Sequence, residues 1–562
     1  MRASESLGGG APPAVRGSLS DTPVAVAERP RQLIERVPEA TWDPRWDVRI
    51  VAGLTLLAAA LRLPNLGRSY WIDEGISIGI AGHPLGQIPT LLRHDGSPPL
   101  FYYLLHFWLQ WFGSSPTATH TLPLLISLGV VFAAWWAARS LFGRAAGIGA
   151  AALAATSPFL NWYGTETRMY TLMCGLGCVA VAFVVRAVRY RRVPDAAASV
   201  VAYTALLYTH NWALYLVAVT VGVLLARALR DGDRELARGT LIGAAAVGVL
   251  YLPWLPTFIV QARTTAAPWA VPPGIGDFFA DPASMLGGTL GFVVTPLLAF
   301  GAWWTRGERK AGALGGSGQR LAGGDGVGLM AVIGIATLAL GWLGAYIDPS
   351  WTVRYLGAVF GPLVLAAAGA LAVTSRGRAV IGAVCAICAG WSIIGSLLPN
   401  PSAHFAKSNV AAVARAASAD LRPGDVVVVA QTEQLAVVEH YLGPDYTYVT
   451  PTGPVADPTF VDWTDLVHRL QVANVCDTVL PSIAALPPGA DILEINPLKS
   501  IGASGSVWSR AANGKVVAVD RLLAGQSSLV PTRSYAEATV PRPFSAVVGE
   551  LFVKQAGQMA CL

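Results

Sequence analysis

The chain has 562 residues, of which 53% are hydrophobic and only 13% charged, and its mean hydropathy is +0.50. A soluble globular chain carries about 25% charged residues, so a string of ordinary soluble domains is excluded for most of the length, as is disorder, and a bilayer is the expected solvent. The net charge of +6 and a pI near 9.0 read as Arg-rich cytoplasmic loops of a membrane protein rather than as a nucleic-acid surface.

Residues 1–45 are rich in Pro, Ala, Ser and Arg and contain no apolar run. The first apolar stretch starts near Ile50, too late for a cleaved secretory signal, and the segment reads as a disordered cytoplasmic tail. Apolar segments then recur at 48–64, 119–140, 145–162, 169–187, 196–210, 212–229, 239–259, 284–304, 327–346, 354–374 and 379–397. Each is long enough to cross about 30 Å of hydrocarbon with some tilt or thinning. The expectation is a polytopic α-helical membrane domain, 46–400, of about eleven transmembrane helices.

Orientation follows from Arg and Lys. With the N-terminus inside, the cytoplasmic connectors carry sixteen, from Arg139 and Arg144 to Arg376 and Arg378. The opposite connectors carry five: Arg68, Arg93, Arg168, Arg263 and Arg354. This asymmetry places the N-terminus in the cytoplasm of a cell that holds the protein in its plasma membrane. An odd number of spans then puts the C-terminus outside.

The composition changes near Ser402. Residues 401–562 read as an extracytoplasmic α/β domain: helical spacing over 409–421, a turn at Pro423-Gly424-Asp425, a β-branched run over 426–430, and a second helical stretch over 434–442. Such alternation predicts a partly parallel sheet. Cys174, Cys178, Cys385 and Cys388 lie on spans and read as buried apolar thiols. Cys476 and Cys561 are the only pair in the tail, and on the outside they would form a disulfide.

Polar residues gather at the outer ends of the helices. The first outer connector carries Trp71-Ile72-Asp73-Glu74-Gly75, then His83, then His94-Asp95-Gly96-Ser97-Pro98-Pro99-Leu100. The aromatic stretch 101–113 that follows is too short for a span and reads as an interfacial helix. Adjacent carboxylates at a membrane surface suit a general base or a cation site. They equally suit a solvated loop pair, or an N-cap for a helix over 76–82. A second connector offers Tyr163, Glu166, Arg168 and Tyr170, with Glu166 and Tyr170 spaced to share a helix face. Arg168 either snorkels to lipid phosphate or grips a phosphorylated ligand with its planar fork. Later connectors carry His210 and the pair Arg354-Tyr355. Together these four connectors suggest one outward-facing polar cavity. His83, His94 and His210 with Asp73 or Glu74 would offer ligands to a divalent cation, although no spacing joins them.

The order of these elements, WxDE, then HDxSPPLFYY, then SPFLNWYGTETRMYTL, then VRYL, resembles the integral-membrane GT-C glycosyltransferases. It is most similar to bacterial protein O-mannosyltransferase and aminoarabinose-transferase relatives, over roughly residues 45–400. The resemblance implies a polyprenyl-phosphate-linked monosaccharide donor, transfer with inversion on the extracytoplasmic face, and a glycan, glycolipid or protein acceptor. It carries the role of base onto Asp73, with Glu74 its neighbour, and places Pro98 beside the donor phosphate. Glu166, Arg168 and Tyr170 would border the same cavity, with Arg354 as a second phosphate-side residue. His94, Asp95, Ser97, Tyr163, His210 and Tyr355 complete the expected binding set. Relatives carry Lys or His just before the paired prolines; this chain has Ser97, so charge for the leaving phosphate must come from Arg93, His94, Arg168, Arg354 or a divalent metal. The donors implied are decaprenyl-phosphate mannose or arabinose. The competing reading is a lipid or small-molecule transporter, which would set its charged groups near the bilayer midplane.

Overall fold

The computed structural model describes residues 44–265, 267–285, 321–372, 375–397, 407–498, 506–535 and 545–561. Almost all of the expected N-terminal tail, the expected span at 284–304 apart from its first two residues, and the proposed domain boundary at 400 and 401 lie outside them. The chain divides into Met1–Trp46, of which only the start of a helix is described, and Asp47–Leu562, which holds everything that follows.

Helices dominate as far as Leu397. They are α1 (Pro44–Arg62), α2 (Ile72–Gly82), α3 (Ile88–Asp95), α4 (Leu100–Phe112), α5 (Pro116–Phe142), α6 (Arg144–Thr156), α7 (Pro158–Tyr163) and α8 (Tyr170–Tyr190). Then come α9 (Val193–Leu207), α10 (Ala213–Asp231), α11 (Arg234–Tyr251), α12 (Leu255–Thr264) and α13 (Ile275–Ser284), followed by helices Leu321–Gly344, Gly357–Leu371 and Ser375–Leu397. Among the described residues, six helices are long and apolar enough to cross a membrane, seven if α11 and α12 form one span bent by 78°. That bend carries Pro253 and Pro256, which remove helix donors and force the turn. The expected spans at 48–64, 145–162 and 196–210 exist as helices, α1, α6 with α7, and α9; α1 is long enough at 19 residues but carries Arg45, Asp47 and Arg49 in its first turns, α6 and α7 are divided, and α9 is short. Ser157, whose hydroxyl accepts from Leu160 N, starts a new helix at Pro158 and so divides α6 from α7.

Ion pairs fix the ends of the bundle. Asp47 is buried and receives Arg139, at the end of α5, and Arg144, at the start of α6. Arg62, fully buried, donates to the carbonyls of Leu160 and Ala154 at 3.0 and 3.2 Å, and so ties the end of α1 to both α6 and α7.

Beyond residue 407 the chain forms a six-stranded sheet in the order β3-β2-β1-β4-β6-β5. Its strands are β1 (Val426–Val429), β2 (Thr447–Thr450), β3 (Gly453–Pro454), β4 (Asp491–Pro497), β5 (Leu529–Tyr535) and β6 (Val547–Lys554). β1 runs parallel to β2 and β4, with Val428 beside both Val449 and Glu494. The other pairings are antiparallel, so the expected partly parallel sheet is present. Helices Val410–Ala417 and Leu435–Leu442 match the helical spacing read from the sequence. Cys476 and Cys561 are joined in a disulfide, their Cα atoms 5.7 Å apart.

The sheet domain docks on α2. Gly75 is small for that reason: a Cβ there would lie 2.7 Å from Val437 N. The Tyr70 amide donates to the Tyr441 hydroxyl at 2.9 Å, and the Trp463 amide to the His94 carbonyl at 3.0 Å. The fold thereby clamps the short helix that carries Asp73 and Glu74 between the membrane helices and the sheet domain.

Candidate functional site

The two adjacent carboxylates do different work. Both lie in the first turn of α2, which begins at Ile72 rather than at the expected 76, so neither is the N-cap; Trp71, with extended backbone, holds that place. Carboxylates in a first turn face unsatisfied amides and the positive end of the helix dipole. Glu74 is buried at 2% exposure. Its Oε1 accepts from His120 Nε2 at 2.7 Å and from the Thr167 amide at 2.8 Å. The other nitrogen of His120 donates to the Leu66 carbonyl at 2.8 Å, an arrangement an imidazolium satisfies at both ends. Burial alone would push the Glu74 carboxyl up, but His120, Lys407 and the Thr167 amide hold it below the ordinary value. Glu74 is a tie between α2, α5 and the 164–169 turn.

Asp73 is the carboxylate that reaches the open side. Arg354 Nη1 donates to its Oδ2 at 2.6 Å, with the two side chains 15% and 17% exposed. Arg354 sits on the short 3₁₀ turn Val353–Leu356. Its guanidinium lies over Trp71, Trp269 and Tyr355 at 5.9, 5.7 and 5.5 Å from the ring centroids, contacts that hold a cation on apolar surroundings.

Arg168 approaches the same turn of α2 from the other connector. Its Nη1 donates to Ser77 Oγ at 2.9 Å and to the Tyr102 hydroxyl at 3.1 Å. Tyr102 in turn donates to Asp95 Oδ2 at 3.1 Å. Burial pushes the Asp95 carboxyl up, opposed by Arg168 and by hydrogen bonds from Ser97 and Tyr102. Gly96 closes α3 at φ 97°, a left-handed cap that favours glycine. Gln261 then props the following loop by donating to the carbonyls of Leu92 and Ser97.

A cavity of about 290 Å³ opens between these elements. Ser97, Pro98, Arg168, His210, Trp212 and Tyr355 are among its lining residues, so five of the sequence-selected residues meet there from four connectors. The His210 Nδ1 accepts from the Trp212 amide at 3.1 Å. Burial, then Arg168 and Arg354, push this histidine down to about 3, so it is neutral and carries its proton on Nε2. Two lining residues carry buried donors with no partner, Nε of Arg168 and the indole N–H of Trp212, and the exposed Asp348 also stands in the cavity wall; Nε of Arg354, outside the lining, is likewise unpartnered. A protein rarely leaves guanidinium N–H groups buried and unpaired, and a guanidinium is a natural partner for an anion.

Other selected residues lie elsewhere. His94 faces the sheet domain, with Nδ1 2.9 Å from Thr464 Oγ1 and 3.4 Å from Asp462 Oδ1. Glu166 is not on a helix: it sits in the 164–169 turn, while Tyr170 begins α8, so their expected shared face does not exist. Glu166 is fully buried and pairs with Lys407 Nζ, whose ammonium also lies 4.8 and 5.5 Å from the rings of Trp162 and Trp71. Burial raises the Glu166 carboxyl, against the pull of Lys407. Tyr163 and Tyr170 stack edge to face at 4.9 Å behind the cavity. The candidates for a divalent cation do not converge: His83 faces Asp457, His94 faces Thr464, and His210 lines the cavity. Among the described residues no three His, Cys, Asp or Glu side chains form a group that could hold a metal ion.

Sequence reasoning missed His120, Tyr102 and Lys407. A histidine in the apolar α5 segment was a signal for the first. Nothing in the sequence signals that Lys407 pairs with a residue 241 positions away.

The family model for dolichyl-phosphate-mannose-protein mannosyltransferase matches residues 96–257. The structure is similar to that of ArnT from Cupriavidus metallidurans in the apo state, with 15% identity and a TM-score of 0.58 over 90% of this chain and 98% of that one. It is similar also to the same protein bound to undecaprenyl phosphate, with 14% identity and a TM-score of 0.58 over 93% and 100%. No curated protein matches the sequence. At this identity the likeness is one of fold, and the GT-C architecture read from the sequence is the architecture found.

Proposed function

We propose that the protein is a polyprenyl-phosphate-dependent glycosyltransferase of the plasma membrane, with its N-terminus cytoplasmic and its sheet domain extracytoplasmic. The observation that carries this reading is two arginines meeting at one turn of α2: Arg354 pairs with Asp73, and Arg168, which also reaches Ser77, lines the cavity. The structural likeness to a protein that binds undecaprenyl phosphate supports the lipid carrier. The matching family model favours mannose as the sugar, with arabinose the second option.

In this reading the donor phosphate lies against Arg168 and Arg354, whose N–H forks match its oxygens. An acceptor hydroxyl attacks the anomeric carbon from the opposite side. The oxygen–carbon bond forms as the bond from the anomeric carbon to the phosphate oxygen breaks, and the hydroxyl proton passes to Asp73. Polyprenyl phosphate leaves with the bonding electrons, and the arginines stabilise the charge that develops on it. Because the leaving group is already a stable anion, no second carboxyl is needed to protonate it, in contrast to glycoside hydrolysis. A single displacement inverts the anomeric centre. No step here runs through a metal.

Incubating the purified full chain with labelled decaprenyl-phosphate mannose tests the reading. Release of decaprenyl phosphate supports it. Movement of the intact lipid between leaflets without cleavage would indicate a transporter instead.

A further inference from the structure

The acceptor in this reaction has so far been any hydroxyl. A second group of side chains, none of which lines the 290 Å³ cavity, is linked to the Asp73–Arg354 pair through Trp71, whose ring faces both Arg354 and Lys407. Trp71 and Trp269 flank Arg354 at 5.9 and 5.7 Å. Trp71 and Trp162 flank Lys407 at 5.5 and 4.8 Å. All three indoles are half-buried, so each keeps part of its surface accessible. The Nε1–H of Trp269 is buried and has no hydrogen-bond partner. The sheet domain contributes to this wall: it supplies Lys407, and its Trp463 stacks on Trp269 at 5.0 Å.

We infer that this wall receives a carbohydrate acceptor, on Trp71, Trp162 and Trp269, with Lys407 brought in by the C-terminal domain. This rests on the glycosyltransferase reading and names its acceptor class. A pyranose or furanose ring presents an apolar C–H face and a rim of hydroxyls. Indole surfaces bury the first, and a carboxylate binds the second. Three half-buried indoles, linked through Arg354 and Lys407 to the turn that carries Asp73, supply both. An extended peptide would instead be recognised through its backbone amides, and the wall offers no strand edge for that purpose. The two arms of the pair then separate the substrates. Arg168, His210 and Tyr355 take the donor, and the tryptophans take the acceptor, with Asp73 between them.

The test uses the full chain in detergent with labelled decaprenyl-phosphate mannose and two acceptors: a mannose oligosaccharide and a Ser/Thr-containing peptide. The expected result is transfer to the oligosaccharide, with Trp162→Ala raising its KM by about tenfold and Trp162→Phe restoring most of that loss. Trp269→Ala gives the same direction. Because Trp269 also supports Arg354, the Trp162 pair decides if that variant unfolds. Transfer to the peptide alone, or an oligosaccharide KM unchanged in Trp162→Ala, overturns the inference while leaving the glycosyltransferase reading in place. Failure to release decaprenyl phosphate under any condition removes the glycosyltransferase reading, and the inference falls with it.

Discussion

Arg354 Nη1 lies 2.6 Å from Asp73 Oδ2, across 281 residues of sequence. This contact joins the first outer connector to the last and sets Asp73 beside an arginine whose Nε has no partner. Asp73→Asn keeps the shape and a hydrogen bond from Arg354 but removes the proton acceptor. Turnover should fall by about 10²–10⁴-fold, with thermal unfolding changed little. Release of polyprenyl phosphate by equal amounts of folded protein measures it.

Glu74 and His120 form a buried pair, 2% and 1% exposed. Removing one partner leaves the other charged and desolvated, so Glu74→Ala should cost about 3–5 kcal/mol of stability. The sign with pH follows from the direction of the shift. The folded carboxyl is held below its ordinary value, so its contribution is present above that value and is lost as pH falls through the lower, folded one. Thermal melting of the wild type and of Glu74→Ala should therefore converge in acid, and a constant difference across pH would contradict the pairing.

Lys407 and Glu166 connect the sheet domain to the membrane domain. Lys407→Met leaves Glu166 buried without a counter-ion, and activity and stability should both fall. Removing both charges, in Lys407→Met with Glu166→Gln, should recover much of the loss, because the cost lies in the unpaired charge. Unfolding curves and turnover of the three variants form the double-mutant cycle. Additive losses would show that the pair does not act as a unit.

Glu494 is fully buried on β4. Burial, then the neighbouring Asp520 and Glu550, push it up to about 8, against a contact from Asn496. A raised carboxyl stabilises the fold below its ordinary value, and that contribution is lost as pH rises through about 8. Glu494→Gln should raise the melting temperature by a few degrees at pH 9 and change it little at pH 5, read by tryptophan fluorescence of the full chain.

Much of this architecture is legible in the sequence because its signals are local. Apolar runs mark the helices, the β-branched Val426–Val429 run marks the central strand, and the two tail cysteines mark the disulfide. The residues at the cavity are also legible: Ser97, Pro98, Arg168, His210 and Tyr355 stand in four connectors at the same ends of the helices, close enough to share one cavity. What was not legible depends on long-range packing. Spacing cannot show that Glu74 turns inward to His120 while its neighbour Asp73 turns outward to Arg354. Nor can it show that His94 and Glu166 leave the cavity to meet the sheet domain, since Asp462, Thr464 and Lys407 are some 240 to 370 residues distant in sequence.

One measurement tests the role of Asp73 most directly: the anomeric configuration of the sugar after transfer from a β-linked decaprenyl-phosphate donor, with decaprenyl phosphate counted in the same reaction. A single displacement assisted by Asp73 predicts an α-linked product, one decaprenyl phosphate per sugar moved, and neither product from Asp73→Asn. A β-linked product, or undiminished release from Asp73→Asn, would contradict it.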